Sequence, residues 1–336
     1  MRYLTPALDR LEKTKMDAAP GAPHLDALIA RVVARWPDHA GYIAKSLDGR
    51  EAALIAVSEE LARVVQMLGA ATPGGLDGLI DDYRFLCESI VLPEELHFRR
   101  HGTYRLSAFA DAERECYANA PFMNRYMNGL LVSNVLWSNH AHAFEAYLSG
   151  YLAALPAGGA HLEIGPGHGL FLFFAACQAR LARIEAWDVS PTSIANTRAA
   201  LTTLGVERPV RLELANLFDA DANGVGEFDG IVMSEILEHL EDPVAALRAA
   251  ARHLKAGGHL WVNMPANSPA PDHIFLLNDL DHATRLVEDA GLEVADSAAF
   301  PMSGVTLEKA TKRKLAISCV VLARKPGSPP TGNSEE

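Results

Sequence analysis

Hydrophobic residues in the first 155 positions recur at the three-and-four spacing of helices that bury one face. The clearest stretches are 24–36, 51–68 and 76–91, and a fourth helical region spans 121–155. Pro93 predicts the end of the third stretch, and residues 96–106 alternate loosely around Gly102, so they predict a small hairpin. Helices followed by a hairpin indicate a winged-helix-like module, and an irregular loop between helices is the alternative for 96–106.

The pattern changes at residue 158, where short apolar runs begin to alternate with helical stretches. Helices are predicted at 170–181, 191–204 and 243–254, and strands at 160–164, 183–189, 210–214, 228–234 and 259–264. Two further strands, 293–300 and 315–323, are predicted to be joined by a loop that contains Lys309, Lys312, Arg313 and Lys314. This alternation predicts an α/β fold, a doubly wound Rossmann-like sheet with helices on both faces.

The chain therefore divides into five predicted parts. They are a flexible arm at 1–23, a helical amino-terminal domain at 24–120, connecting helices at 121–157, an α/β domain at 158–325 and a disordered tail at 326–336. The arm ends in a stretch with Pro and Gly, and the tail contains Pro, Gly and Ser, which is typical of segments outside a packed core.

The composition limits the partners of the protein more than it defines an activity. A formal net charge of -12 argues against a nucleic-acid-binding face, because such faces depend on clustered Lys and Arg. The sequence has neither the apolar core of a signal peptide nor an apolar run of about 18 residues, so we expect a cytoplasmic protein without a membrane span. Four scattered cysteines without a CxxC pair predict reduced thiols and neither a zinc site nor a disulfide framework.

The candidate chemistry begins with a glycine-rich turn after the first strand of the sheet. A short apolar run ends in Glu163 and is followed by Gly165, Gly167 and Gly169. Glycines at these positions allow a positive φ and the close approach of a ligand, although a tight structural turn would also select glycine.

Two later strand ends add the features of a nucleoside site. Asp188 lies at the end of the second strand, where a carboxylate is placed to accept hydrogen bonds from both hydroxyls of a ribose. Asn216 and Leu217 follow the third strand, and an amide beside an apolar side chain suits an adenine ring.

These motifs resemble those of class I S-adenosylmethionine-dependent methyltransferases. The resemblance also includes Phe-Asp-Gly-Ile-Val-Met-Ser-Glu-Ile-Leu-Glu-His-Leu-Glu-Asp-Pro at 228–243 and Leu-Lys-Ala-Gly-Gly-His-Leu-Trp-Val-Asn-Met-Pro at 254–265. It covers residues 158–325, with four motifs in order at the expected strand ends. It implies S-adenosylmethionine as the cofactor and a seven-stranded sheet whose last strand runs antiparallel.

The resemblance also implies a role for each motif residue. Glu163 and the three glycines would cradle the methionine part of the cofactor, and Ser234 and Glu235 would lie near its reactive side. The residues implied in ribose and adenine binding are Asp188, Val189, Asn216 and Leu217. Many members of the family have Asp where this chain has Asn216, but an amide can still accept a hydrogen bond from the exocyclic amine.

The acceptor is expected to bind between the connecting helices, which are rich in Asn, His and Tyr, and the proline-rich loop after the fifth strand. The candidates for substrate binding are Asn124, Arg125, Asn128, Asn139, Tyr147 and Asn267. The candidates for catalysis are Tyr126, His140, His142, His239 and His273. A general base is needed only when the acceptor is a hydroxyl, a protonated amine or a carbon acid.

Each candidate also has a structural interpretation. The polar helix residues can face solvent, His239 can shape its loop, and Asp272 can cap the following helix while His273 packs. Two histidines with nearby carboxylates can hold a metal, but no tight ligand spacing supports one and none is predicted. Arg125 and the charged run at 309–314 are candidates for a substrate carboxylate, and a solvated loop is the alternative for that run.

The resulting hypothesis is methyl transfer to a small polar, carboxylate-bearing metabolite. The acceptor atom can be oxygen, nitrogen, sulfur or carbon, and S-methylation of a thioether acid is one case. Transfer or cyclisation of the aminocarboxypropyl chain of the same cofactor is an alternative, and a partner-binding protein with a vestigial cofactor site is another. The helical domain loosely resembles the dimerisation domain of small-molecule O-methyltransferases, which implies a homodimer whose first domain covers the substrate.

Overall fold

The computed structural model describes residues 21–219 and 227–327, with helices before residue 160 and an α/β unit after it. Residues 1–20 of the predicted arm and 328–336 of the predicted tail lie outside the described residues. The first helices are α1 Pro23–Arg35, α2 Ala40–Leu47, α3 Ala52–Ala71 and α4 Gly75–Phe85. They are followed by α5 Leu92–His101, α6 Phe109–Ala112, α7 Ala120–Leu136 and α8 Ser138–Ala146. Wide π-type turns extend α4 at Leu86–Val91, α6 at Glu113–Tyr117 and α8 at Tyr147–Leu152.

The predicted hairpin at 96–106 is wrong, because these residues continue a helix. α5 ends at Gly102, which adopts a φ of 75° and donates its N–H to the Phe98 oxygen, so this glycine is a helix C-cap and not a hairpin turn. Pro93 does not end the preceding helix, since it lies in the first turn of α5, where no N–H is needed. No strand occurs in residues 21–159, so the winged-helix-like interpretation is wrong as well.

Seven strands of the described chain form one sheet. Their bounds are β1 Ala160–Ile164, β2 Arg183–Asp188, β3 Arg211–Leu214, β4 Phe228–Ser234, β5 Leu254–Ala266, β6 Glu293–Pro301 and β7 Ile317–Arg324. Their order is β3-β2-β1-β4-β5-β7-β6. Neighbours from β3 to β5 are parallel, and β7 is antiparallel to both β5 and β6. The predicted sheet with an antiparallel last strand is confirmed.

Helices connect these strands and cover the sheet. They are α9 Leu170–Ala176, α10 Pro191–Thr203, α11 Pro243–His253, α12 Leu280–Asp289 and α13 Leu307–Arg313. The charged loop predicted between the last two strands is wrong in part, because α13 lies there and begins at Thr306, whose hydroxyl accepts the Lys309 N–H. None of the helices in residues 21–219 and 227–327 has the length and apolar character needed to cross a bilayer.

One face of the sheet and the amino-terminal helices share a continuous apolar core. The ring of Tyr147 lies 4.8 Å from that of Phe171 and 5.4 Å from that of Trp261, measured between centroids. Tyr147 is fully buried, and its hydroxyl donates to the backbone oxygen of Phe171 at 3.0 Å. Tyr147, predicted to bind substrate, is therefore a core residue that joins the helices to the sheet.

We expect Tyr147→Phe to lower the free energy of unfolding by about 1 kcal/mol, because the substitution removes the buried hydrogen bond to the Phe171 oxygen. Urea denaturation followed by circular dichroism measures the change. Loss of ligand affinity with unchanged stability would contradict the assignment of Tyr147 to the core.

Candidate functional site

The glycine turn after β1 has no space for side chains. Gly165 and Gly167 adopt φ values of 67° and 53°, and Gly169 adopts 75°. A Cβ atom on Gly165 would overlap the Cδ1 atom of Ile236, and one on Gly167 would lie 2.9 Å from the Cε atom of Met127. The positive φ values favour glycine here, and the lack of side chains lets a ligand approach the backbone of the turn.

Glu163 is a buried carboxylate without a partner at the floor of this turn. Its side chain is 2% exposed, and its Oε2 atom has no hydrogen-bond partner among the described residues. Burial raises the pKa of Glu163 well above its usual value, because the charged form has lost its water. The unpaired oxygen fits the ammonium group of a methionine moiety, which would satisfy it and favour its ionised form.

Asp188 is held in a fixed orientation at the end of β2. One carboxylate oxygen accepts the Ser190 N–H at 2.8 Å, and the other accepts the Ser193 hydroxyl. Burial raises the pKa of Asp188, and the bonds to the two serines oppose that shift. The neighbouring Val189 is 61% exposed and borders the same cavity. The pair offers acceptors for ribose hydroxyls and an apolar surface beside them.

The segment after β3 differs from the expected adenine site in one contact. The side-chain oxygen of Asn216 accepts the Phe218 N–H at 3.0 Å, so the atom expected to face an adenine amine already closes a local turn. Leu217 is buried and borders the cavity, and Phe218 is 47% exposed and borders it too. Phe218 is a cavity-lining residue that was not predicted from the sequence, although an aromatic residue shortly after the end of β3 is a usable signal.

Ser234 and Glu235 lie at the end of β4 against Asn263 of β5. The amide of Asn263 donates to a Glu235 oxygen at 2.8 Å and to the Ser234 hydroxyl at 3.3 Å. Glu235 adopts a φ of 54°, a left-handed conformation that is uncommon for a residue with a side chain. Burial raises the pKa of Glu235 to about 8. The backbone is thus strained at the point where the chain enters the candidate site.

Glu238, His239 and His273 meet beyond this strand end, and we call them the carboxylate–histidine cluster. The Oε1 atom of Glu238 lies 3.7 Å from His239 Nε2 and 3.9 Å from His273 Nε2. The two imidazole centroids are 5.0 Å apart. The structure therefore brings together two of the predicted catalytic histidines, with a carboxylate that the sequence analysis did not single out.

Two tyrosines and Asp272 support this cluster. The hydroxyl of Tyr126 donates to Asp272 Oδ1 at 3.3 Å, and the hydroxyl of Tyr117 lies 3.2 Å from His239 Nδ1. Burial raises the pKa of both phenols, so they stay protonated. Asp272 does not cap the next helix, because Asp279 does so by accepting the His282 N–H at 2.8 Å. That structural alternative for Asp272 is wrong, and Tyr126 lies beside the cluster.

Several predicted residues have structural partners away from the cluster. His142 stacks on Phe300 with centroids 5.1 Å apart. His140 borders the cavity, but its Nδ1 lies 3.0 Å from the Ser133 hydroxyl, and burial lowers its pKa to about 4.

Predicted substrate residues also have partners within the protein. The Asn139 amide donates to the Ser318 hydroxyl at 3.0 Å, and the Asn267 amide donates to the Asn278 oxygen at 2.6 Å. Asn267 adopts a φ of 48° and does not border the cavity in the described structure. Asn124 borders the cavity and is exposed.

One cavity of about 1530 Å³ connects the glycine turn, Asp188, the segment after β3 and the carboxylate–histidine cluster. Its described lining is rich in carboxylates: Asp82, Glu88, Glu95, Glu113, Glu163, Asp188, Glu235, Glu238 and Asp272. Arg125 is the only Arg or Lys among the described lining residues, and its guanidinium bonds to Asp82 at 2.8 Å. Asn128 donates to the same carboxylate at 2.9 Å. The described lining thus offers no unpaired Arg or Lys side chain to an anionic ligand.

Comparison with known proteins agrees with this geometry. Residues 162–260 match the family model of a methyltransferase domain. The ubiquinone biosynthesis O-methyltransferase of Xanthomonas axonopodis pv. citri is 34% identical over 132 residues, which are 38% of this chain and 53% of that protein. The corresponding protein of Xanthomonas campestris pv. campestris is 33% identical over 132 residues, with the same two shares. The chain thus spans about half the length of the curated relatives it matches.

Solved structures align with about half of the chain. The YcgJ protein from Bacillus subtilis has a TM-score of 0.44 at 15% identity, covering 56% of this chain and 100% of that one. An S-adenosylmethionine-dependent methyltransferase from Mesorhizobium loti has a TM-score of 0.40 at 18% identity, covering 54% and 98%. The family match marks residues 162–260 as a methyltransferase domain, and the strand order and the glycine turn agree with the fold that the sequence resemblance implied.

We expect the affinity for S-adenosylhomocysteine to rise with pH, because the free protein holds a proton on Glu163 that an ammonium group would displace. Calorimetric titration in buffers of different ionisation enthalpy should detect proton release on binding. Glu163→Gln should bind roughly 10–100-fold more weakly and release no proton.

Glu145→Gln is the matched control, because Glu145 does not border the cavity in the described structure. Equal proton release by the wild type and by Glu163→Gln would show that another group is responsible.

Proposed function

We propose that this protein uses S-adenosylmethionine to methylate a small, uncharged molecule on an oxygen atom. The observation that carries the proposal is the single cavity that joins the glycine turn to the carboxylate–histidine cluster. Its volume of about 1530 Å³ exceeds the roughly 300–1,000 Å³ of a pocket for one drug-sized ligand. A donor and an acceptor can therefore lie side by side in it.

The residues of the donor half support this cofactor. Glu163 would bind the ammonium group, the peptide groups of Gly165 and Gly167 would approach the methionine chain, and Asp188 would accept from the ribose. Val189 and Phe218 would pack against the adenine, since each is exposed toward the cavity. When bound, S-adenosylmethionine supplies an electrophilic methyl group on a sulfonium, and the buried carboxylates around the cavity favour that positive charge.

The name of the curated relatives supports an oxygen acceptor, because they are O-methyltransferases. A hydroxyl must lose its proton to become a strong nucleophile, and methyl transfer itself needs mainly alignment of the acceptor with the methyl carbon. The carboxylate–histidine cluster is the polar part of the acceptor half, and it would hold the reacting oxygen. Trp137, Met123 and Phe109 border the same cavity and would contact the apolar part of the acceptor.

An uncharged acceptor replaces the carboxylate-bearing metabolite expected from the sequence. Arg125 was the main candidate for binding a carboxylate, but it is paired with Asp82, and its guanidinium lies 3.7 Å from the centre of the Phe85 ring. An anionic acceptor would have to enter among buried carboxylates without a free cation in the described lining. A homodimer, the absence of nucleic-acid and membrane partners and a cytoplasmic location stay predictions.

The activity is tested by incubating the protein with S-adenosylmethionine and phenols, each paired with its ring-carboxylated counterpart. Mass spectrometry should detect S-adenosylhomocysteine and an O-methylated product, with higher kcat/KM for the uncharged phenols. Methylthioadenosine as the nucleoside product would indicate aminocarboxypropyl transfer instead. Failure to bind S-adenosylmethionine at millimolar concentration would refute the proposal.

Arg125→Gln should change the KM for the acceptor less than about threefold, because the guanidinium is already engaged by Asp82 and loses no substrate contact. Steady-state kinetics with the best acceptor of the panel measures this. Arg31→Gln is the control for removing a guanidinium from an exposed ion pair, here with Asp77, because neither residue borders the cavity in the described structure. A rise of tenfold or more in KM for Arg125→Gln alone would favour the carboxylate-bearing acceptor.

A further inference from the structure

The carboxylate–histidine cluster has the geometry of a set of metal ligands. Glu238 and His239 lie in the turn after β4, and His273 lies in the loop after β5, so the two loops meet at the carboxyl ends of neighbouring strands. One ligand atom from each residue can be chosen so that all three lie within 4.8 Å of one another. The two distances from Glu238 Oε1 to the imidazole nitrogens are 3.7 Å and 3.9 Å.

Backbone carbonyl groups orient both imidazoles. His273 Nδ1 lies 2.7 Å from the Ser268 oxygen, and His239 Nδ1 lies 3.0 Å from the Asp272 oxygen. A carbonyl only accepts, so these contacts favour the tautomers in which Nδ1 carries the proton and Nε2 presents a lone pair toward Glu238. Metal-binding histidines are held in this way, with the second nitrogen bonded to a carbonyl or a carboxylate.

Glu238 is not satisfied by the protein around it. Its side chain is 2% exposed, and neither carboxylate oxygen has a hydrogen-bond partner among the described residues. The imidazoles cannot supply a hydrogen-bond donor, because their Nε2 lone pairs are acceptors and lie 3.7 Å and 3.9 Å from Glu238 Oε1. The space between this buried carboxylate and the two nitrogen lone pairs therefore lacks a positive group.

We propose that Glu238, His239 and His273 bind one divalent transition-metal ion. With metal–nitrogen and metal–oxygen distances near 2.1 Å, ligand atoms around a tetrahedral ion are about 3.4 Å apart. The two distances from Glu238 exceed that spacing by a few tenths of an ångström, and all three ligand atoms lie within 4.8 Å of one another. Two imidazoles and one carboxylate suit zinc or iron better than magnesium or calcium, which prefer all-oxygen ligand sets. The sequence analysis predicted no metal because His273 is far from the other two residues in the chain.

Three protein ligands leave coordination positions open, as in catalytic zinc sites. The cluster borders the cavity, so an open position would face the acceptor half and could hold an acceptor oxygen. A divalent ion there would favour loss of the hydroxyl proton to solvent. This role rests on the proposed function, whereas binding of the metal does not.

The test uses the full-length protein, treated with a chelator and then titrated with Zn²⁺ by calorimetry or with Co²⁺ followed by visible absorption. We expect one tight equivalent of either ion in the wild type. Glu238→Gln and His273→Ala should each lower the affinity for the tightly bound ion by more than about 100-fold. Loss of a residue that only supports a ligand typically weakens metal binding 10–100-fold. Zn²⁺ should also raise the Tm of the wild type and leave the Tm of Glu238→Gln unchanged.

A matched control removes two histidines from the surface of α5. The rings of His97 and His101 lie 4.5 Å apart, so this pair can bind ions weakly by itself. His97→Ala/His101→Ala should keep the tight equivalent. Loss of tight binding in this control would overturn the proposed site. So would an affinity in Glu238→Gln and His273→Ala within about threefold of the wild-type value.

Titration with S-adenosylhomocysteine after chelation separates this proposal from the proposed function. Binding of the nucleoside without any tight metal equivalent would overturn the metal site alone. Tight metal binding without nucleoside binding would overturn the proposed function and leave the metal site standing.

Discussion

The left-handed backbone of the glycine turn after β1 is the constraint on which the candidate site depends. Gly165 and Gly167 adopt positive φ values where a Cβ would overlap Ile236 or come within 2.9 Å of Met127. Ile236 lies in the loop after β4, and Met127 lies on α7, so the bare turn lets both the neighbouring loop and the helical region approach the end of β1. The donor half and the acceptor half of the cavity meet at this close approach.

Much of the fold follows from patterns that the sequence displays locally. β1 and β4 have the predicted bounds, and β2, β3 and β6 differ by one residue, because short apolar runs between helical stretches mark buried parallel strands. The error at 96–106 has an equally local cause. Gly102 marks the end of a helix as readily as a turn between strands, and only the hydrogen bond to Phe98 distinguishes the two.

The candidate site was predictable where its residues lie in short motifs at the ends of neighbouring strands. Glu163 and the glycines after it are adjacent in sequence, and Asp188 lies at the equivalent end of the next strand, so the donor half follows from strand order. Side chains on α7 and α8 were less predictable, because helical spacing shows which face is buried but not what covers it. Tyr147 meets Trp261 in the core, whereas Tyr126 meets Asp272 at the cluster, and no local signal separates these two tyrosines.

Unpaired buried carboxylates are the feature that the two halves of the cavity share. Glu163 and Glu238 are each 2% exposed and lack partners for one or both oxygens in the described structure, so each destabilises the ligand-free fold. Strain of this kind persists where function requires it, and the left-handed Glu235 between the two halves is a further example. Positive ligands would relieve both carboxylates, which couples the stability of this domain to ligand binding. Under the two proposals, Glu163 and Glu238 are therefore positions that bind a positively charged group.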